Sequence, residues 1–434
     1  MAAQNAFPGK VEIQQAFVFN KLGMNSIVNN LLTIDIYEDI YAPFVYCDIL
    51  VIDYNKLSSG LPFIGEEFFQ IEFKTENGET ISYLFFLYQQ DKGGIVSNNK
   101  AQGYTLHGVT IERAFDNAKT VSRAYKGTYA SIAGQIFDDY VKKDTGLEFN
   151  YQQTKSIARY IPPLISPLQA IEYCRRRAVP SNPPFTSYLF FRNARGYHFT
   201  SINGLFNMAA NQMEGVTHVF GSKSPDPQLS DEETVGGMQT RSDIIAFDPQ
   251  AKYNTVDKID RGAYNTISYS FDLTTKSFVQ RKSFNLSKGK GSFVLGSAGE
   301  FNTEEFLETF EDARCGVSYV PTDFSIELEG TQTDFYPDAV AEMNSYMHLV
   351  GQQQAGIIMY GDSSITSGQV INLLVYKPSD EETVPSIDET HSGAYLLSRV
   401  RHQLTFGTNN TYEIHATGIR GSMANTVRGL QQNA

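Results

Sequence analysis

The chain has 434 residues, of which 41% are hydrophobic and 19% are charged, and its formal net charge is −13. That length exceeds one ordinary core, so we expect about two to four domains, and the composition excludes global disorder. Phosphate contacts need clustered Lys and Arg, so a chain this acidic is a poor general nucleic-acid binder.

Cysteines and the chain start give three further expectations. Cys47, Cys174 and Cys315 are far apart and odd in number, which disfavours a disulfide framework and a four-ligand zinc site. Residues 1–10 contain no apolar run of the kind found in secretory signals. The sequence contains no run of about 18 apolar residues, so no transmembrane helix is expected. These features suit assembly in a reducing cytoplasm.

The first region, 11–113, is rich in predicted strands. Alternation of apolar and polar residues predicts a strand at 31–37. Further strands are predicted at 46–53, 68–74, 81–88 and 101–111. Asn77-Gly78 favours a hairpin turn, because both residues accept positive φ angles. Short strands joined by tight turns, with almost no helix, indicate a small barrel or sandwich.

The second region, 114–207, changes to an α+β pattern. Apolar spacing predicts a helix over 128–143, with Thr128 as its N-cap and Gly146 as its stop. A second helix is expected to start at Ser166, with Pro167 in its first turn, and to run to Arg177. Two strands, 187–191 and 196–200, should follow.

Strands return in the last part of the chain. Strands are predicted at 244–248 and 266–273, and a short helix at 301–310. Acidic loops are predicted at 221–240, which includes the run 230–234, and at 379–390, and a flexible segment at 287–292. A helix over 336–349 then precedes four strands, at 356–361, 369–375, 394–402 and 411–416. This order is typical of a second small antiparallel barrel.

Three blocks of sequence resemble the baseplate hub proteins of T-even-type contractile phage tails. They are a Pro-started helix with Cys-Arg-Arg and a Phe-rich hairpin (166–200), the run Asn-Thr-Val-Asp-Lys-Ile-Asp-Arg-Gly-Ala-Tyr-Asn (254–265) leading into 270–273, and the final barrel (361–421). The evidence lies in the order of these blocks. The same ring fold recurs at the N-terminus of type VI secretion spikes.

The resemblance implies a fold and a set of partners. The fold is mainly β with α+β insertions: two small antiparallel β-barrels per chain plus α/β decorating domains. Three chains would form a pseudo-sixfold ring that joins the sixfold tail tube to the threefold central spike. Neighbouring baseplate proteins would surround it, and the tape measure and DNA would pass through without specific binding. The implied location is the virion tail, assembled in the host cytoplasm, with no membrane contact.

Domain boundaries follow from the changes in pattern. We expect the first barrel at 1–113, an α+β insertion at 114–220, the second barrel at 221–260 and 331–421, a smaller insertion at 261–330, and a tail at 422–434.

Candidate site residues are few. Arg175, Arg176 and Arg177 form one basic run, which could contact the spike or a neighbouring subunit, or could simply favour a helix C-terminus. Gly361, Gly368, Gly393 and Gly407 are interpreted as turn residues.

No catalytic, cofactor or metal site is predicted. The seven histidines lack metal-binding spacing, and His402 and His415 should face outward or bond locally. Asp138 and Asp139 are adjacent on a helix, so they point apart and should be solvated.

Two other functions stay open. A cell-wall hydrolase carried in the tail needs two carboxylates across a cleft, which sequence cannot locate. A host-surface or carbohydrate-binding module is compatible with the 25 Tyr and 30 Phe residues, although aromatic residues at alternating strand positions usually pack inside. We predict a structural protein without enzymatic activity.

Overall fold

The computed structural model describes most of the chain. It covers residues 9–21, 23–54, 63–75, 79–96, 101–210, 217–221, 233–235, 238–241, 243–251, 254–272, 276–285, 309, 315–321, 335–351, 353–377, 387–388, 390–407 and 410–420. Among these residues, no helix combines the length and the apolar character needed to cross a membrane.

Strands make up most of the described structure. They are β1 (Val11–Asn20), β2 (Gly23–Ser26), β3 (Leu31–Asp39), β4 (Tyr46–Asp53), β5 (Phe68–Thr75), β6 (Ile81–Val96), β7 (Ala101–Thr110), β8 (Tyr125–Thr128), β9 (Phe149–Tyr151), β10 (Ile157–Tyr160), β11 (Tyr188–Asn193), β12 (Gly196–Ser201), β13 (Thr217–Phe220), β14 (Glu233–Val235), β15 (Met238–Arg241), β16 (Ile244–Ala251), β17 (Asn265–Asp272), β18 (Ser277–Asn285), β19 (Gly316–Pro321), β20 (Gln353–Tyr360), β21 (Val370–Val375), β22 (Gly393–Thr405) and β23 (Thr411–Arg420).

Helices are shorter and fewer. They are α1 (Glu112–Asn117), α2 (Tyr129–Phe137), α3 (Pro167–Arg177), α4 (Ile202–Ala210), α5 (Thr255–Asp260) and α6 (Tyr336–Leu349). A π-helical turn (Asp138–Lys142) and one α-helical turn (Lys143–Thr145) extend α2. The fold is therefore mainly β with α+β insertions, as the sequence predicts.

One sheet runs through both strand-rich regions. In the first region its order is β2-β1-β5-β6-β7-β4-β3. Strand β3 then pairs with β22 from Asp39–Arg399 to Thr33–Thr405, and β22 leads to β21 on one side and β23 on the other. The sequence predicts two barrels, whereas the pairings among the described residues form one continuous sheet of 15 strands.

A shared apolar core explains this continuity. Inner-face residues of the first region, such as Ile34 and Phe69, belong to the same cluster as Ile357 and Ile414 of the second. Each alternates along its strand with more exposed neighbours, which is the period-two signature of a sheet with one covered face. The two regions thus bury their apolar faces together.

The α+β insertion has its own core. Thr128 caps α2 by accepting a hydrogen bond from the Ser131 N–H at 3.2 Å, and Gly146 ends this helical stretch at φ 68°. Helices α2 and α3 pack with a sheet in which β12 lies between β11 and β9. Strands β8 and β10 form a separate antiparallel ladder.

Strands β17, β18 and β19, which lie between β16 and β20 in the sequence, form a smaller sheet of their own. Strand β17 pairs antiparallel with β18 and parallel with β19. Helix α6 packs on it, where the Thr266 and Ser268 hydroxyls donate hydrogen bonds to the carbonyls of Ala341 and Pro337.

Several predicted segments lie wholly or largely outside the described residues. They are the Asn77-Gly78 turn, most of the two acidic loops, the segment 287–292, the helix 301–310 and the tail 422–434. The domain boundaries stay predictions.

Candidate functional site

The three candidate arginines have different environments. Arg175 is bidentate to Glu172, with both N–O distances 2.7 Å, and it also donates to the Tyr188 carbonyl. The Arg176 side chain is 70% exposed and shares the same carboxylate. Arg177 lies 5.3 Å from the Tyr336 ring centroid. The run therefore does not form one surface patch, and among the three Arg176 is the most accessible side chain for a partner.

The four candidate glycines all lie at strand ends. Gly361 follows β20, Gly368 precedes β21, Gly393 begins β22 and Gly407 follows β22. Gly368 has φ +83°, and a Cβ there would lie 2.6 Å from the Phe191 ring. This position accepts only glycine without rearrangement, because both the backbone and the neighbouring ring exclude a side chain.

A buried polar cluster joins the parts of the chain. The Glu38 carboxylate on β3 accepts hydrogen bonds from the Tyr83 hydroxyl at 2.5 Å, the Ala194 N–H at 3.0 Å and the Ser367 N–H at 2.7 Å. His402 on β22 places Nε2 3.6 Å from the same carboxylate, and its Nδ1 lies 2.6 Å from the Tyr412 hydroxyl. We call this set the Glu38 junction.

Electrostatics hold the Glu38 junction in a charged state. Burial by itself raises the pKa of Glu38, but His402, the Tyr83 hydroxyl and the Ser367 N–H outweigh it and lower the pKa below its ordinary value. The carboxylate is buried and its oxygens are occupied by protein donors. Such a group fixes geometry and has no access to a substrate.

The β11–β12 turn extends this junction into the insertion. The Asn193 amide donates to the Ser367 carbonyl at 2.8 Å. Arg192 forms a buried ion pair with Glu112 and lies 5.5 Å from the Tyr83 ring centroid. First region, insertion and second region thus meet at one set of buried polar contacts.

Three other polar residues that the sequence singled out, His402, His415 and Asp139, lie close to a polar or charged partner. His402 is fully buried and bonds to the neighbouring strand, so the outward-facing alternative is wrong for it, while the His415 side chain is 30% exposed and 3.5 Å from Glu413. Asp139 pairs with Arg123 at 2.9 Å. Within the described ranges, no group of three His, Cys, Asp or Glu side chains could hold a metal ion.

Sequence reasoning missed the Glu38 junction, although one signal was available. Glu38 shares its strand face with Ile34 and Ile36, and His402 shares its own with Val400 and Leu404. A charged residue on the apolar face of a strand indicates a buried polar contact. Its partners are far apart in sequence, so no local pattern could have named them.

Comparison with solved structures gives the fold a precedent. The 43 kDa tail protein of prophage MuSo2 from Shewanella oneidensis aligns with a TM-score of 0.50 and 9% identity, covering 94% of this chain and 98% of that one. This chain has a phage tail-protein fold. The resemblance found in the sequence blocks is therefore confirmed at the level of the fold.

Weaker likenesses to the tail-protein fold also occur. A tail protein from Neisseria meningitidis MC58 aligns with a TM-score of 0.47 and 10% identity, over 94% of this chain and 97% of that one. A type VI secretion component from Escherichia coli aligns with a TM-score of 0.42 and 10% identity, over 95% of this chain and 77% of that one. No family model and no curated protein sequence matches this chain.

Proposed function

We propose that the chain is the structural hub of a contractile-tail baseplate. Three copies form a ring with pseudo-sixfold symmetry, which joins the sixfold tail tube to the threefold central spike and leaves a channel for DNA. The likeness to the MuSo2 tail protein supports the proposal, because it extends over 94% of this chain.

The Glu38 junction fits this role physically. Three copies can imitate six equivalent units only if the two strand-rich regions of each copy keep a fixed relative orientation. The β3–β22 pairing and the buried contacts of Glu38 link those two regions directly. A joint made of backbone ladders and a buried carboxylate with hydrogen bonds to both oxygens is stiff, since each bond is costly to leave unmade.

Partners and location follow from the same proposal. The hub binds the spike on one face and the tube on the other, within the virion tail, after assembly in the host cytoplasm. The formal net charge of −13 suits a channel that DNA crosses without binding tightly. The chain performs no catalysis, and its work is shape and assembly.

Sedimentation velocity of the full chain, alone and with the candidate spike, tests the proposal. We expect a trimer in at least one of the two samples, because a hub can depend on its spike for assembly. A chain that stays monomeric in both samples contradicts the proposal. Clearing of peptidoglycan in a zymogram would favour the hydrolase alternative instead.

A further inference from the structure

Charge is distributed unevenly along the chain. Residues 1–111 contain six Lys or Arg and twelve Asp or Glu, whereas residues 112–177 contain eleven and seven. The first strand-rich region is therefore acidic and the following insertion is basic. Such asymmetry within one chain favours contact between unlike regions of different copies.

An acidic face lies on the outer surface of β3, β4, β6 and β7. Asp35 and Asp48 are direct cross-strand partners, and the neighbouring Asp91 side chain is 62% exposed. Tyr46 and Tyr88, 42% and 48% exposed, complete it. We call these five residues the acidic face.

Cationic groups of this chain already use the acidic face. His107 bridges Asp48 at 2.6 Å and Asp91 at 3.1 Å. Arg401 donates to Asp35 at 2.9 Å while it lies 5.9 Å from the Tyr37 ring centroid. Three carboxylates against Arg401 and His107 leave the face negative even when His107 is protonated. Its chemistry, carboxylates beside tyrosine rings, is that of a site for further Lys or Arg groups.

A basic ladder lies on the insertion. Lys126 of β8 and Arg159 of β10 are direct cross-strand partners, and both are exposed. Ile161 and Leu164, which follow β10, are 63% and 69% exposed. We call these four residues the basic ladder. It combines two cations with two exposed apolar side chains, which matches the carboxylates and tyrosines of the acidic face.

Closed rotational symmetry would bring the acidic face and the basic ladder of different copies into contact. A ring of three uses head-to-tail interfaces, in which one surface of each copy meets a different surface of the next. We propose that the acidic face of one copy binds the basic ladder of the next copy. The occupant is thus a second copy of this chain, and the inference rests on the proposed trimeric ring.

Charge reversal tests this pairing. One variant carries Asp48→Lys and Asp91→Lys, a second carries Lys126→Glu and Arg159→Glu, and a third combines all four changes. Sedimentation velocity, with the candidate spike wherever the wild type needs it, should show trimer affinity falling about tenfold or more in each double variant. The combined variant should recover most of the loss, because the charges are exchanged.

A matched control changes acids elsewhere on the same sheet. Glu12 of β1 and Glu72 of β5 lie on the outer surface of neighbouring strands. Glu12→Lys with Glu72→Lys makes the same net charge change as the acidic-face variant. It should leave the trimer intact. Circular dichroism on every variant establishes that each one is folded.

The outcomes separate the pairing from the hub itself. A wild-type trimer whose double variants also assemble normally overturns the pairing and leaves the hub proposal standing. Loss of trimer affinity in both double variants without recovery in the combined variant also overturns the pairing and leaves the hub proposal standing. That result indicates that the spike or tube occupies these surfaces. A wild type that never forms a trimer overturns the hub. Should a double variant misfold, a salt titration of the wild type decides, because trimer affinity that is unaffected by salt contradicts a charge-based contact.

Discussion

Replacing Glu38 by Gln probes the joint between the two strand-rich regions. The carboxylate accepts one hydrogen bond from Tyr83, one from Ala194 and one from Ser367. An amide keeps one oxygen and adds an NH₂ group, so at least one of these buried donors would face another donor. The change also removes the charge that strengthens every bond in the set.

The expected cost follows from those losses. A buried donor left unsatisfied costs about 1–3 kcal/mol, and hydrogen bonds to a charged group contribute roughly twice as much as neutral ones. We therefore expect Glu38→Gln to lower the free energy of unfolding by about 2–4 kcal/mol. Urea denaturation of both proteins, followed by circular dichroism, measures the difference.

The next residue provides a matched control. Asp39 is on the opposite face of the same strand, where its carboxylate pairs with the largely exposed Arg399 at 2.9 Å. Asp39→Asn should cost less than about 1 kcal/mol, because an exposed ion pair contributes little. Equal effects of the two substitutions would refute the view that Glu38 holds the joint.

Three further changes test other buried features. Burial lowers the pKa of His198 to about 4. The free energy of unfolding should therefore be highest above pH 6.5 and should fall by about 3 kcal/mol as the pH drops towards 4. Denaturation measured as a function of pH should show this loss in the wild type but not in His198→Gln. Gly368→Ala should lower the free energy of unfolding by about 1–3 kcal/mol in the same assay, because φ is +83° and the Phe191 ring blocks the added Cβ. Gly407→Ala should have almost no effect, because a Cβ there meets no atom within 4 Å. Arg192→Met should lower the free energy of unfolding by about 3–5 kcal/mol, because it leaves the buried Glu112 carboxylate without its ion-pair partner. Adding Glu112→Gln should restore part of this loss. Equal stability of the single and double variants would contradict the prediction.

Local sequence signals located most strands. The predicted strand 46–53 coincides with β4, in which buried residues alternate with more exposed ones along the whole strand. Pro167 likewise marked the start of α3. Strand β1 was missed because a bulge between Ile13 and Gln15 shifts its register and breaks the alternation.

Tertiary context decided the rest. Helix α4 contains Gly204 and two Asn residues, which are poor helix formers, and it is held by the burial of Ile202 and Leu205. The predicted continuous helix after Phe137 contains a π-helical turn instead. The pairing of β3 with β22 spans more than 350 residues of chain, so no local pattern could predict it.

Electron microscopy of the full chain mixed with its candidate spike tests the central claim most directly. Class averages viewed down the particle axis should display a hollow ring with threefold symmetry, whose outline approaches sixfold. Single unassembled particles, or a closed twofold dimer, would contradict the account.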